Sequence, residues 1–344
     1  MLKGFDRNLK PLEILSGEEV ESIHSGTLDV LETTGVVFDH AETVDFLADH
    51  GCEADFEQRR VRMPGELVEA CLSAAAKTFV LRARDAGRSL EIGGDSLHFS
   101  NSMGMSTVDV DTWRPRAPTR EENIIAVKVL ESLDTVHYIA PYTPYMEIEG
   151  VPGGMVMLEG MANKLRLSSK PISSAYQNDS EMYAIRMAEV VGTDLLGSVS
   201  VSSPLVYTES ACVAMRRWID AGFPICIGSG AIMGGSGPVT VAGSTIINNA
   251  ELLAGVVLTQ LVKPGTGVMV ADFVHPMDML RGVPAFGAAE CALHGAVFTQ
   301  IFRKYEIPTT QWYGFGSSKK ADFQSGYERS MLGLLAAMSG TNVI

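Results

Sequence analysis

The sequence predicts an α/β protein whose main body is a TIM-type (β/α) barrel, preceded by a small N-terminal α+β lead-in. Three observations lead there. From residue 135 onward, short apolar runs alternate six times with helical stretches. Each run is apolar enough to be covered on both faces, as parallel strands are. The chain closes on TNVI (341–344), which reads as the start of one strand more. Strict alternation gives a parallel sheet with right-handed crossovers. Six strands would also make an open doubly wound sheet; the barrel is the preferred reading. Barrels close with eight strands, so this count leaves the chain lacking its last two units.

The lead-in, residues 1–118, opens with helical periodicity over 17–34 and 40–50, and a third helix fits 64–76 after Pro64. The period then shortens. TFVLRA (78–83), SLEIGG (89–94), SLHFS (96–100) and MSTVDVDT (105–112) read as short strands of one or two hairpins, closing at WRPRAP (113–118). The barrel, residues 119–344, begins with a helix over 119–134, where Thr119 is the N-cap and acidic residues fill the first turn.

The six units follow in order. Strand 135–143 precedes a helix near 153–166, and strand 170–176 one at 179–192. Strand 196–203 precedes 209–221, and strand 223–230 precedes 244–262. Strand 266–273 precedes 286–304, and strand 308–315 precedes 322–339.

Bulk composition narrows the function. Of 344 residues, 46% are apolar and 20% charged, the balance of a globular chain with a large core. A net charge of −14 argues against nucleic acid and against an anionic membrane surface, both of which call for a basic face. No apolar run reaches membrane-spanning length and the N-terminus lacks an apolar signal core, so a cytoplasmic protein is expected. The five scattered cysteines contain no CxxC and read as reduced, buried thiols.

The glycine-rich stretch GGSGPVTVAGS (234–244) follows the fourth of these strands. It is not a P-loop, because no lysine follows to reach the phosphates. Nor is it a dinucleotide fingerprint, since Gly243 comes too late after Gly235 and Gly237. Two readings remain. The glycines permit left-handed backbone and close packing, or N–H groups near Ser244 and Thr245 face a small anion at a helix N-terminus.

These residues carry a resemblance. GGSGPVTVAGSTIINNAELLAGVVLTQLVKPGTGVMV (234–270) is similar to the central signature of the trimethylamine methyltransferase family, the corrinoid-dependent methyltransferases that include the glycine betaine enzymes. HGCEADFEQRRVRMP (50–64), the run from Phe79 to Gly94, SPLVYTES (203–210) and IPTTQWYGFGSSKKADFQSGYE (307–328) resemble the same family in the same order. The resemblance implies a TIM-type barrel with the substrate at its carboxyl mouth, where a separate partner protein presents a corrinoid (cobalamin). It implies methyl transfer from a quaternary amine such as glycine betaine to Co(I), and no tightly bound metal on this chain. Because the chain reads through SSKKADFQSGYE without pyrrolysine, it resembles the quaternary-amine branch; a pyrrolysine-type trimethylamine enzyme and a non-catalytic betaine-binding protein are the alternatives. A homo-oligomer is expected, since alanines and glycines in helices 244–262 and 330–340 suit close packing between subunits.

The implied chemistry needs a site for a permanent cation without hydrogen-bond donors, which aromatic faces provide. Aromatics gather at strand ends: Tyr142 and Tyr145, Tyr176, Tyr207, Phe273, then Trp312, Tyr313 and Phe315. Trp312 and Phe315 are the preferred cage members, with Tyr313, Tyr142 and Tyr176 beside them. Strand alternation puts Gln311 and Tyr313 on one face and Trp312 on the other, and leaves open which faces inward. Glu209 fits the first turn of a helix, with a binding role implied by its place in SPLVYTES. His275 is a candidate for a betaine carboxylate. The Asp272-x-x-His275 spacing could serve a metal only with a third ligand.

Overall fold

The computed structural model describes residues 4–104, 106–141, 147–311 and 314–344. The barrel's strands are β1 (98–100), β2 (138–139), β3 (Ile172–Ser174), β4 (Leu195–Ser200), β5 (Ile225–Ser229), β6 (Val268–Asp272), β7 (Thr309–Gln311) and β8 (342–344). β3 through β7 form a continuous parallel sheet in chain order. Parallel bridges Ile139↔Ile172, Thr310↔Val343, His98↔Val343 and Ser100↔Tyr138 carry the ladder round until it meets itself.

Among the described residues the ring therefore has eight strands, and the expectation of two missing units is corrected. The strand left out of the count is SLHFS. Read as part of a lead-in hairpin, it takes its place between β8 and β2: His98 N–H donates to Asn342 O and Ile344 N–H to His98 O. On the other side, His137 N–H donates to Phe99 O. These residues lie on the lead-in side of the boundary expected at 118.

The helices, numbered along the chain, are α1 (Gly17–Asp29), α2 (Ala41–Asp49) and α3 (Gly65–Ala74) in the lead-in. In the barrel they are α4 (Arg120–Ser132), α5 (Gly153–Leu167), α6 (Ser180–Val191), α7 (Glu209–Asp220), α8 (Val241–Val262), α9 (Ala289–Tyr305) and α10 (Phe323–Ser339). The predicted cap of α4 is present. Thr119 Oγ1 accepts Glu122 N–H, and the Glu122 carboxylate accepts Thr119 N–H. Such a reciprocal cap stabilises a helix start by about 1 kcal/mol.

Period-two alternation sorts the strand side chains. Leu195, Val199, Ile225, Ile227, Val268 and Val270 face the helices in the main core. Leu196, Cys226, Met269 and Ala271 fill the barrel interior, with Tyr138 and Val343. The hairpin of Thr78–Leu81 and Leu90–Gly93 supplies Leu81, Leu90 and Ile92 to that same interior cluster. Each buried Leu, Ile, Val or Met among them contributes roughly 1.5–3 kcal/mol by leaving water.

The 22-residue α8 is long and apolar enough to cross a membrane by composition, yet 72% of its apolar window is buried inside the protein. Lead-in helices α1 and α3 pack along it. Gly26 lets α1 come close, since a Cβ there would lie 2.9 Å from Ile246. All five cysteines are free and buried.

Candidate functional site

The carboxyl ends of β6 and β7 bring together four rings. Phe273 follows β6 directly, and its N–H donates to Ser229 O at the end of β5. A Cβ on Gly230 would sit 2.9 Å from Phe273 O, so glycine is needed where these strand exits meet. Ile232–Met233 then pairs in parallel with the segment His275–Asp278, which folds back on Val283–Pro284. This small sheet fixes His275.

Ring centroids lie 4.4 Å apart for Phe273 and His275, 4.7 Å for His275 and Phe286, and 5.8 Å for Phe273 and Phe286. Phe315, beyond β7, joins at 5.3 Å from Phe273 and 6.1 Å from Phe286. Most of these pairs are edge-to-face or tilted, the arrangement ring quadrupoles prefer.

A cavity of about 150 Å³ adjoins this cluster at the mouths of β1, β2, β7 and β8. Phe315 belongs to both. Tyr138 and Phe99 give the cavity further aromatic wall, and Ser100, Asn101 and Ser102 a polar edge. Ser102 and Gly314 on its rim are exposed.

His275 is 2% exposed, and burial pushes its pKa down to about 4. The imidazole is therefore neutral near pH 7. Its Nδ1 stands 2.7 Å from Phe273 O, a carbonyl that can only accept, so Nδ1 carries the proton. A neutral ring would meet a betaine carboxylate without an ionic charge of its own. Beside a cation, neutrality is the useful state.

The Asp272-x-x-His275 spacing does not converge on a metal. Asp272 belongs to the outward-facing set of β6 and accepts from His294 Nδ1 of α9 at 3.0 Å. Among the described residues no group of three or more His, Cys, Asp or Glu could hold a metal ion.

Other expected residues lie elsewhere. Tyr176 is half-buried, and its hydroxyl donates to Ser200 O at 3.4 Å, joining the exits of β3 and β4 rather than the cluster. Glu209 is exposed in the first turn of α7, where the helix dipole favours it. Ser244 and Thr245 are buried within α8, whose N-cap is Thr240. Of the N–H groups expected to face an anion there, that of Ser244 donates to Thr240 O, and the two hydroxyls donate to Pro238 O and Val241 O.

The glycine loop is a tight turn that uses its own N–H groups. Gly235 and Gly237 donate to Ile232 O, and Gly234 donates to Gly237 O. Gly234 has φ +83°, and Gly235 leaves room for Met277. Tyr142, Trp312 and Tyr313, like Tyr145, lie outside the described residues.

Three residues escaped the sequence reading. Phe286, expected as the first residue of the helix 286–304, sits in the loop before α9, which begins at Ala289. Glu251, fully buried in α8, accepts Ser203 Oγ–H at 2.8 Å and Leu205 N–H at 2.7 Å, and also Ser229 Oγ–H. Burial raises its pKa. Lys164 of α5 is 1% exposed and donates to Ala140 O and Pro141 O at 3.3 and 2.6 Å, at the carboxyl end of β2. For Glu251 and Lys164 the signal was present: a charge inside an apolar helical stretch.

Comparisons with known proteins agree with this architecture. The chain is 28% identical over 347 residues to glycine betaine methyltransferase of Desulfitobacterium hafniense Y51, covering 98% of this chain and 71% of that protein. It is 26% identical to trimethylamine methyltransferase MttB of D. hafniense DCB-2, covering 96% and 68%. With MttB of Methanosarcina thermophila it shares 25% identity over 97% and 72%. The crystal structure of the Methanosarcina barkeri monomethylamine methyltransferase MtmB superposes with TM-score 0.53 at 11% identity, over 98% of this chain and 76% of that one. That likeness concerns the fold alone. The family model for trimethylamine methyltransferase (MTTB) matches residues 1–344. The chain is a methyltransferase and belongs to the trimethylamine methyltransferase family.

Proposed function

We propose that this protein moves a methyl group from a quaternary amine of the glycine betaine type to the Co(I) of a corrinoid borne by a partner protein. The observation that carries the reading is the neutral aromatic cluster of Phe273, His275, Phe286 and Phe315 beside a cavity whose rim reaches solvent. A methylated onium offers no N–H to an acceptor, so ring faces hold it best, at roughly 0.5–2 kcal/mol per contact.

The corrinoid is a co-substrate carried by another polypeptide, and it supplies the nucleophile. This chain therefore needs to present neither a cradle for it nor a nucleophile of its own. As the C–N bond breaks, its electron pair stays on nitrogen and the amine leaves neutral, so no general acid is required. What the residues do is orient the onium, keep the site free of competing positive charge and limit water. His275, neutral at working pH, adds no positive charge to the ring cluster. Relatives are named for glycine betaine and for trimethylamine. A quaternary nitrogen is favoured because three of the four clustered side chains are phenylalanines, which offer ring faces rather than acceptors for an ammonium N–H.

The test is direct. Purified protein is mixed with Co(I) cobalamin and glycine betaine, and the corrinoid absorbance is followed, with trimethylamine as the parallel arm. Loss of the Co(I) spectrum with glycine betaine is expected. No change with any quaternary amine overturns the proposal, and turnover with trimethylamine alone moves the substrate to a tertiary amine.

A further inference from the structure

Phe286 and Phe315 touch across two loops that no strand ladder joins. One loop follows the hairpin strand Val283–Pro284; the other follows β7. From the geometry we infer that Glu328 of α10 is the positioning residue that fastens these loops together and so sets the aromatic geometry an onium meets. The functional half of this inference rests on the reading of the site proposed above.

Glu328 is 7% exposed. Its Oε2 accepts Ser317 N–H at 2.7 Å and Ser318 N–H at 3.3 Å, and its Oε1 accepts from Gln324 Nε2 at 2.7 Å. Ser317 in turn offers its Oγ to Gly287 N–H at 3.1 Å. The chain of contacts runs from α10 through the Phe315 loop to the Phe286 loop. Both loops carry a glycine where the carboxylate lies. A Cβ on Gly316 would stand 2.7 Å from Oε2, and one on Gly287 would fall on the carboxyl group itself. Two loops pared to glycine around one buried carboxylate make a clasp. Its hydrogen bonds, the one from Gln324 foremost, hold the Glu328 carboxyl below the usual carboxylate range, so the acceptor stays ionised at neutral pH.

A merely structural acid would stabilise α10 or its own loop. The clasp instead predicts that Glu328 controls the loop bearing Phe286, against whose Gly287 its carboxyl packs and to which Ser317 hydrogen-bonds. The variants are Glu328→Ala, Glu328→Gln and Ser317→Ala in the full chain. In Glu328→Gln the amide oxygen still receives the serine N–H groups while the Gln324 amide turns to receive the new N–H, so behaviour near wild type is expected.

Amide hydrogen exchange by mass spectrometry reads the clasp. Glu328→Ala should speed exchange over both 284–288 and 314–318 by about tenfold, while Ser317→Ala should speed 284–288 alone. Titration calorimetry with glycine betaine reads the consequence. Kd should rise by about tenfold in Glu328→Ala and stay within about threefold in Glu328→Gln, with smaller changes for the neutral-carbon analogue 3,3-dimethylbutanoate. Unchanged protection of 284–288 in both alanine variants overturns the clasp. Loosened loops with unchanged betaine affinity overturn the positioning role. If wild type binds no onium, the functional reading falls, and exchange alone still decides whether Glu328 couples the loops. Should Glu328→Ala fail to fold, Ser317→Ala carries both measurements.

Discussion

Asp272 accepts a hydrogen bond from His294 Nδ1 at 3.0 Å, and both side chains are wholly removed from solvent. The same carboxylate accepts Val274 N–H at 3.3 Å and Asn248 Nδ2–H at 3.4 Å. One side chain thus ties the exit of β6, where Phe273 and His275 leave the barrel, to helices α8 and α9. Removing one partner of a buried hydrogen bond costs about 1–3 kcal/mol, because the group left behind stays desolvated. His294→Leu removes one of the donors to Asp272 and should lower unfolding stability by about 1–3 kcal/mol. The double variant His294→Leu/Asp272→Asn should lose clearly less than the sum of the singles, since no lone carboxylate remains. Denaturant titration of the four proteins decides it, and strictly additive losses would show that the pair is uncoupled.

Lys164 gives a pH signature of known sign. Burial pulls its pKa from 10.5 down to about 7, even though the amine donates to the carbonyls of Ala140 and Pro141. In the unfolded chain it holds its proton until about 10.5. Between those values the unfolded state binds more protons, so this residue makes stability rise with pH across that window. Below about pH 7 both states are protonated and the full desolvation cost is felt. Lys164→Met keeps the stem and removes the titration. Its stability relative to wild type should therefore be highest at about pH 6 and decline steadily toward about pH 9. A constant difference across that range would place the amine's folded pKa elsewhere.

Gly255 tests the packing of α8 on the sheet. A Cβ there would meet the Tyr207 hydroxyl and lie 2.8 Å from Ile227 Cδ1. Tyr207 cannot yield easily, since its hydroxyl donates to Glu251 O at 2.8 Å and its ring stacks on Phe38 at 5.0 Å and 10°. Overpacking of this kind costs about 1–3 kcal/mol. Gly255→Ala should shift the denaturant midpoint down with little change in slope. A midpoint equal to wild type would mean that the helix can back away from β5.

The sequence announced the barrel wherever a strand was long enough to show its pattern. Leu195, Val199, Ile225 and Ile227 alternate with Leu196 and Cys226, and that period survives into the packing. SLHFS failed the same reading for a physical reason: β1 is three residues long, follows an antiparallel hairpin, and finds its partner Val343 at the opposite end of the chain. Local pattern holds no information about so distant a neighbour. The site was legible in kind and not in membership. Phe273 and Phe315 stood at strand ends, whereas Phe286 is brought in only by the fold-back of His275–Asp278 on Val283–Pro284. The Gln311 side chain turns toward α9, where its Nε2 donates to Gly295 O at 2.8 Å.

Phe315 is the ring shared by the cluster and the cavity, and the sharpest test of charge recognition falls on it. A cation over an aromatic face gains roughly 0.5–2 kcal/mol, which corresponds to about 2- to 30-fold in affinity. Phe315→Leu keeps an apolar side chain while abolishing the quadrupole. It should weaken glycine betaine within that range and leave 3,3-dimethylbutanoate, of the same shape without the ammonium charge, nearly unaffected. The pH profile supplies an internal control. Because Lys164, bonded to the cavity-lining Ala140 and Pro141, takes up a proton as pH falls through about 7, and His275 as it falls through about 4, onium affinity should drop in two steps on acidification, the second when an imidazolium joins the ring cluster. Equal losses for the charged and uncharged ligands would reduce Phe315 to packing, and the aromatic cluster would then have no claim on the cation.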